Sequence, residues 1–241
     1  METLHVTSIP AARHVQQTRL IEGAKGTTSI REFGGLWGVG GTLLLDAAVA
    51  HQVSFASMVD ISPVSEFKKN IAKAREKLPE LEIEFINTDF RNPALFDVLK
   101  PVDTSLLLNV LLHQENYVSV IGGACRKSRK YVCVTQPCLK EQHFKFPSSA
   151  SLLQFWPDEI KDAYREGAHW PASEHKPEHF STASWMWGHT TSHLVDVFKG
   201  FGWALEYGAV VDGFLGQHWE YPILRFVPTK HAQAYRSEYN S

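Results

Sequence analysis

Apolar positions along this chain switch between two rhythms, short continuous segments and stretches where they recur every three or four residues. Ser29–Phe33, Val53–Asp60 and Glu82–Asp89 read as strands, each ending on or holding an acid. Between the first two, five glycines fall from Gly34 to Gly41, and Thr42–Ala50 is apolar and helix-favouring. After Asp60, Val64, Phe67, Ile71, Ala74 and Leu78 form a stripe on one helix face, with Lys68, Lys69, Lys73, Arg75 and Lys77 opposite. Ser62 suits the N-cap of that helix and Pro63 its first position. Asn92-Pro93 introduces a short helix over Ala94–Leu99. Thr104–Leu112 is a near-continuous apolar run, as expected of a parallel strand covered on both faces. Tyr117–Cys125 is helical by pattern, and Tyr131–Gln136 is a fifth strand. Strands alternating with helices predict an α/β fold built on a mostly parallel, doubly wound sheet.

The second half is different. Six of seven tryptophans and eight of twelve histidines lie beyond residue 140, and Pro147, Pro157, Pro171 and Pro177 punctuate an irregular stretch. A helix over Thr190–Phe201 and strands over Trp203–Val211 and Tyr221–Val227 close the chain. The expected organisation is a lead-in or lid over residues 1–28, with a short helix near Gln16–Leu20, followed by one domain over 29–241. Residues 140–188 form a substrate-facing insertion within that domain.

Composition narrows the function. The chain has 241 residues, 44% of them apolar, enough for a substantial core. A formal net charge of -2 argues against a nucleic-acid partner. The basic run Arg126–Lys130 follows a predicted helix, whose negative dipole end suits cations, and is read as a solvated helix end rather than a phosphate site. Three cysteines without framework spacing suggest reduced thiols and a cytoplasmic protein. No apolar segment approaches the ~20 residues that span a bilayer, so no membrane partner is expected.

The acids at the strand ends carry the chemistry. Open α/β sheets bind ligands outside the carboxyl ends of their strands. Glu32-Phe33-Gly34-Gly35-Leu36-Trp37-Gly38 places an acid before a glycine-rich turn, where ligands can approach the backbone. Taken alone it is equally a structural turn, and no G-x-G-x-x-G lies in register. Asp60, with Ile61 after it, can accept both hydroxyls of a ribose; the rival role is a cap for the next helix, which Ser62 already fills. Asp89-Phe90 can meet an adenine by accepting its amine and stacking on its ring, or Asp89 is a plain turn residue before Asn92-Pro93.

Glu32-x-Gly34, Asp60, Asp89-Phe90 and Asn109-Val110-Leu111-Leu112-His113 together resemble the successive motifs of class I S-adenosylmethionine-dependent methyltransferases. The resemblance covers about residues 29–136. It implies a Rossmann-like, seven-stranded sheet whose last strand is antiparallel and arrives as a hairpin. It also implies S-adenosylmethionine as cofactor. Glu32, Gly34, Gly35 and Gly38 would lie beside the methionine moiety, Asp60 and Ile61 at the ribose, Asp89 and Phe90 at the adenine, and Asn109 beneath the sulfonium. Leu36 stands where most members of the family carry a glycine.

The implied reaction moves a methyl group to an oxygen or nitrogen of a small molecule. His113 is the first candidate for a base, with His189 and His193 behind it. His189 and His193 share a helix face, but without a third ligand no metal is expected. Trp185, Trp187 and His189 are candidates to line the substrate pocket, or the tryptophans simply cover the sheet. The rivals are a nicotinamide-dependent oxidoreductase, which lacks an evident Tyr-x-x-x-Lys, and a non-catalytic partner-binding module. The sequence does not reveal the methyl acceptor or the oligomeric state.

Overall fold

The computed structural model describes residues 7–9, 24–36, 40–61, 65–141, 151–155, 185–211 and 219–232. The elements in chain order are β1 (Thr7–Ile9), β2 (Ser29–Phe33), α1 (Thr42–Ala50), β3 (Phe55–Asp60), α2 (Ser65–Lys77), β4 (Glu82–Asn87), α3 (Leu95–Val98), β5 (Val102–Leu108), a single 3-10 turn (Leu111–His113), α4 (Tyr117–Lys127), β6 (Ser128–Thr135), β7 (Cys138–Leu139), β8 (Ser151–Phe155), β9 (Trp185–His189), α5 (Thr191–Gly200), β10 (Trp203–Val211) and β11 (Trp219–Pro228).

The main sheet runs β1-β10-β11-β6-β5-β2-β3-β4. β2, β3, β4, β5 and β6 are mutually parallel, and β11 is antiparallel to both β6 and β10. This is the predicted doubly wound sheet with its antiparallel closing hairpin. Two additions were not expected. β1 extends the edge beyond β10, and the short β7 pairs with the start of β11. β8 and β9 form a separate antiparallel pair out of the 140–188 insertion. The predicted helix near Gln16–Leu20 and the cap Ser62 lie outside the described residues.

The sheet splits the core into two layers because alternate residues of each strand face opposite sides. Ile30, Met58, Leu106 and Cys133 pack under α1 and α2 through Leu44, Ala48, Phe67 and Ala74. Phe33, Val59, Leu107, Val132 and Val134 pack under α3, α4 and α5 through Phe96, Ile121 and Phe198. β5 is buried along its whole length, which accounts for its unbroken apolar run. That strand stops earlier than the run suggests. At Asn109 φ is +57, the left-handed region, and the chain turns away.

One row of polar residues crosses the sheet. Arg31, wholly buried, sits beside Ser57, which sits beside Glu84. Arg31 donates from Nε to Ser57 Oγ at 3.1 Å and from Nη1 to the Lys100 carbonyl at 2.8 Å. Ser57 in turn donates to Glu84 Oε2 at 3.0 Å. Burial lowers the guanidinium pKa to about 10, so it stays charged at neutral pH, with Glu84 3.8 Å away as counter-charge. Because each member faces a fixed partner, a slip of register by one residue would strand the charge.

Candidate functional site

The strand order reverses direction at β2, whose neighbours are β3 on one side and β5 on the other. The crevice at such a switch point, outside the carboxyl ends, is where open α/β sheets take ligands. The ends of β2, β3, β4 and β5 bring Glu32, Asp60, Asp89 and Asn109 to that one edge.

Glu32 shares its side of the sheet with Met58 and Leu106, its register partners, and so points toward α1. It is 1% exposed, and neither carboxylate oxygen completes a hydrogen bond. Burial, and then the nearby Asp60, push its pKa up to about 8. The Leu44 backbone N–H near the start of α1 lies close enough to hold that rise back, without reaching full hydrogen-bond geometry. The carboxyl lies flat against Gly35. A Cβ there would come within 2.2 Å of Glu32 Cδ, so only glycine fits. Gly34 has φ +73, and a Cβ on it would strike Val110 Cγ1 at 2.7 Å.

Leu36 explains how the loop tolerates a bulky residue. Its side chain is buried in the core layer beneath α1, with Leu44 and Met58, while its N–H donates to Asp60 Oδ2 at 2.9 Å. Gly40 and Gly41 return N–H bonds to the carbonyls of Leu36 and Gly35, both at 2.9 Å. The loop is thus tied to the end of β3 through Asp60, which is 4% exposed. Ile61, the next residue, is 63% exposed. Gly38 and Trp37 lie outside the described residues.

Asp89 accepts from Arg91, which donates from its backbone N, Nε and Nη2. That bonding holds the Asp89 carboxyl below the usual carboxylate range. Phe90 meets Phe33 edge-on at 5.9 Å and packs against the core beneath Gly34. Asn109 is exposed at the crevice, and its Oδ1 accepts from the Tyr221 hydroxyl.

The histidines form a second group beside this edge. Trp187 and His189 lie parallel at 6.0 Å, and His189 and His193 parallel at 5.7 Å. Tyr117 crosses the His189 ring at 4.4 Å, and its hydroxyl meets His193 Nε2 at 2.7 Å. Trp187 Nε1 donates to the Gln114 carbonyl at 2.8 Å, tying the insertion to the turn after β5. Burial lowers the His189 pKa to about 3, with His193 adding to it, and that of His113 to about 4. Burial also lowers His193. Near neutral pH the group is therefore uncharged and weakly basic. His189 is wholly buried, which sets it behind Trp187 and His193 rather than at an open surface. For Trp185 only the backbone is described, at the first position of β9. Among the described residues no set of three metal-ligating side chains converges.

Four contributors were not foreseen: the Leu36 N–H, Arg91, Tyr117 and Tyr221. Arg91 had a signal, since an Asp two residues before it sets up a local turn. Tyr221 had none, lying 112 residues from Asn109.

The fold is that of class I S-adenosylmethionine-dependent methyltransferases. No protein-family model and no curated protein matches the chain by sequence. Solved structures do match by shape. An O-methyltransferase family protein from Burkholderia thailandensis aligns at TM-score 0.57 and 12% identity, over 89% of this chain and 56% of that one. The chain thus spans little more than half the length of that protein. A 1,6-didemethyltoxoflavin-N1-methyltransferase from the same organism, solved with S-adenosylhomocysteine, aligns at 0.57 and 11%, over 91% and 79%. Magnesium protoporphyrin IX methyltransferase from Synechocystis PCC 6803, also solved with S-adenosylhomocysteine, aligns at 0.54 and 15%, over 90% and 80%.

The residues present fit that cofactor. A buried, unsatisfied carboxyl at Glu32 faces a glycine cradle that any Cβ would fill, and Asp60 closes the neighbouring strand.

Proposed function

We propose that the chain is an S-adenosylmethionine-dependent methyltransferase acting on an oxygen or nitrogen of a small molecule. The observation that carries this is the convergence of Glu32, Asp60, Asp89 and Asn109 around the Gly34–Gly35 cradle on the fold just described. When bound, the cofactor supplies an electrophilic methyl group. Asp60, whose Oδ2 holds the loop through Leu36, is assigned to the ribose. Ile61 offers an apolar surface to the adenine, whose amine Asp89 accepts, with the Phe90 ring beneath. We assign Glu32, Gly34, Gly35 and Gly38 to the methionine end and Asn109, steadied by Tyr221, to the reacting centre.

On the acceptor side we assign Trp185, Trp187, His189 and His193 to one wall, with His113 across the turn after β5. The uncharged imidazoles of His113 and His193 orient an acceptor by hydrogen bonding, with His189 backing the wall, and placement supplies most of the rate. His113 is the first choice as proton acceptor, then His193. We read residues 29–241 as one catalytic domain with the insertion 140–188 facing the substrate, and residues 1–28 as a lead-in. Cys125, Cys133 and Cys138 are buried and form no disulfide, in keeping with a reducing, cytoplasmic setting. No helix among the described residues is long and apolar enough to cross a membrane.

Titration calorimetry with S-adenosylmethionine, S-adenosylhomocysteine and NAD tests this. Saturable binding of the first two, weakened about 100-fold or more in Asp60→Ala, is the expected result, since two charge-assisted ribose bonds disappear. Binding of NAD alone, or unchanged affinity in the variant, overturns it.

A further inference from the structure

Two carboxyl groups, Glu32 and Asp60, are buried side by side at the ends of adjacent strands, 1% and 4% exposed. Among the described residues, the elements packed on Glu32 contribute either no charge or a negative one. β5 offers Leu106, α1 offers the Leu44 N–H, and the loop offers the Gly35 backbone. The nearest acid of α2, Glu66, faces Gly40 further along the same loop. Among the described residues, Asp60 is the one charged group that acts on Glu32, and it is of like sign. A buried carboxylate whose oxygens complete no hydrogen bond, set beside a second acid, is costly, and such a group keeps its proton.

We infer that the empty crevice carries a proton on the Glu32–Asp60 pair and releases it when a positively charged ligand enters. The inference rests on the cofactor reading above, whose ligand brings a sulfonium and an ammonium. On binding, the O–H bond of Glu32 breaks, the proton leaves to the bulk buffer, and the carboxylate faces the incoming positive charge. Glu32 is the proton carrier, because Asp60 has its Oδ2 committed to Leu36 while both oxygens of Glu32 lack a full hydrogen bond. A pKa of about 8 leaves Glu32 roughly nine-tenths protonated at pH 7. Linkage then requires affinity to rise with pH, by up to about tenfold per unit, and to level off above the pKa of the empty state.

The experiment is calorimetry of the full chain with S-adenosylmethionine at pH 7, in two buffers of different ionisation enthalpy. Close to one proton released per ligand is expected, falling to none in Glu32→Gln, with the pH slope of affinity lost as well. Should that variant fail to fold, infrared difference spectra of the wild-type protein give the same answer. A protonated-carboxyl band should vanish on adding the ligand. Saturable binding with identical heats in both buffers, or a band that persists, overturns the inference and leaves the cofactor reading intact. No binding at all overturns both.

Discussion

Raising the pH from 6.5 to 8 should destabilise the ligand-free protein, and Glu32→Gln should abolish that loss. The group's ordinary pKa is 4.5, and in the fold it is raised to about 8, first by burial and then by Asp60. An acid with a raised folded pKa favours the folded state while protonated. Its contribution is complete below 4.5 and drains as pH rises through about 8. Between pH 6.5 and 8 the unfolded chain has already lost this proton and the folded chain gives up half of it. Integrating the linkage relation over that interval gives a loss of about 1.5 kcal/mol. The buried histidines act the other way and alike in both proteins. His113 and His189 have folded pKa values of about 4 and about 3, below the ordinary 6.5, so their share grows by about 0.4 kcal/mol each as the unfolded chain loses its remaining protons above 6.5, and the difference between the two proteins isolates Glu32. Urea unfolding at both pH values, on both proteins, measures the difference. The same change between the two pH values in the wild type and in Glu32→Gln refutes the claim that Glu32 is held neutral.

Other expectations follow from single contacts. Gly35→Ala puts a Cβ 2.2 Å from Glu32 Cδ and should cost about 2 kcal/mol in thermal or urea unfolding; a neutral effect would show that the loop is not seated on the carboxyl. Arg31→Met strips the buried partner from Ser57 and Glu84 and should cost about 3 kcal/mol, against no change if the polar row is incidental. At pH 5.5, side-chain NMR should find His113 and His189 still neutral, since burial sets their pKa values near 4 and 3; midpoints near 6.5 would contradict their burial.

The parallel core was legible because local pattern and tertiary environment agree there. β2 spans the residues expected, and the full burial of β5 is what its apolar run demands. The strand ends were less legible. The run through Leu112 continues past Asn109, yet a left-handed residue turns the chain there, and Leu111 and Leu112 stay buried in a 3-10 turn. Their apolarity serves packing, and periodicity cannot separate that from strand. The acids at the edge could be named because each lies at or within two residues of a strand's end, and the ends of parallel neighbours share one edge of the sheet. Their partners could not, because Leu36 acts through a backbone N–H and Tyr221 arrives from a distant strand. Leu36 shows the limit of motif matching. It stands where a glycine is usual in the family it resembles, but its side chain turns into the core and leaves the crevice to the backbone. The charged side chains of the basic run Arg126–Lys130 are solvated as expected, and they also find partners: Arg126 lies 3.9 Å from Asp97 and Lys130 lies 3.0 Å from Asp103. Those acids are far away in sequence, so the pairing was invisible there.

The decisive measurement is a crystal structure of the protein grown with S-adenosylhomocysteine. The account predicts an adenosine lying along the carboxyl edge, both ribose hydroxyls on Asp60, the adenine between Ile61 and Asp89, and the amino-acid tail over Gly34–Gly35. Density for the ligand at any other place, with Glu32, Asp60 and Asp89 untouched, would contradict it.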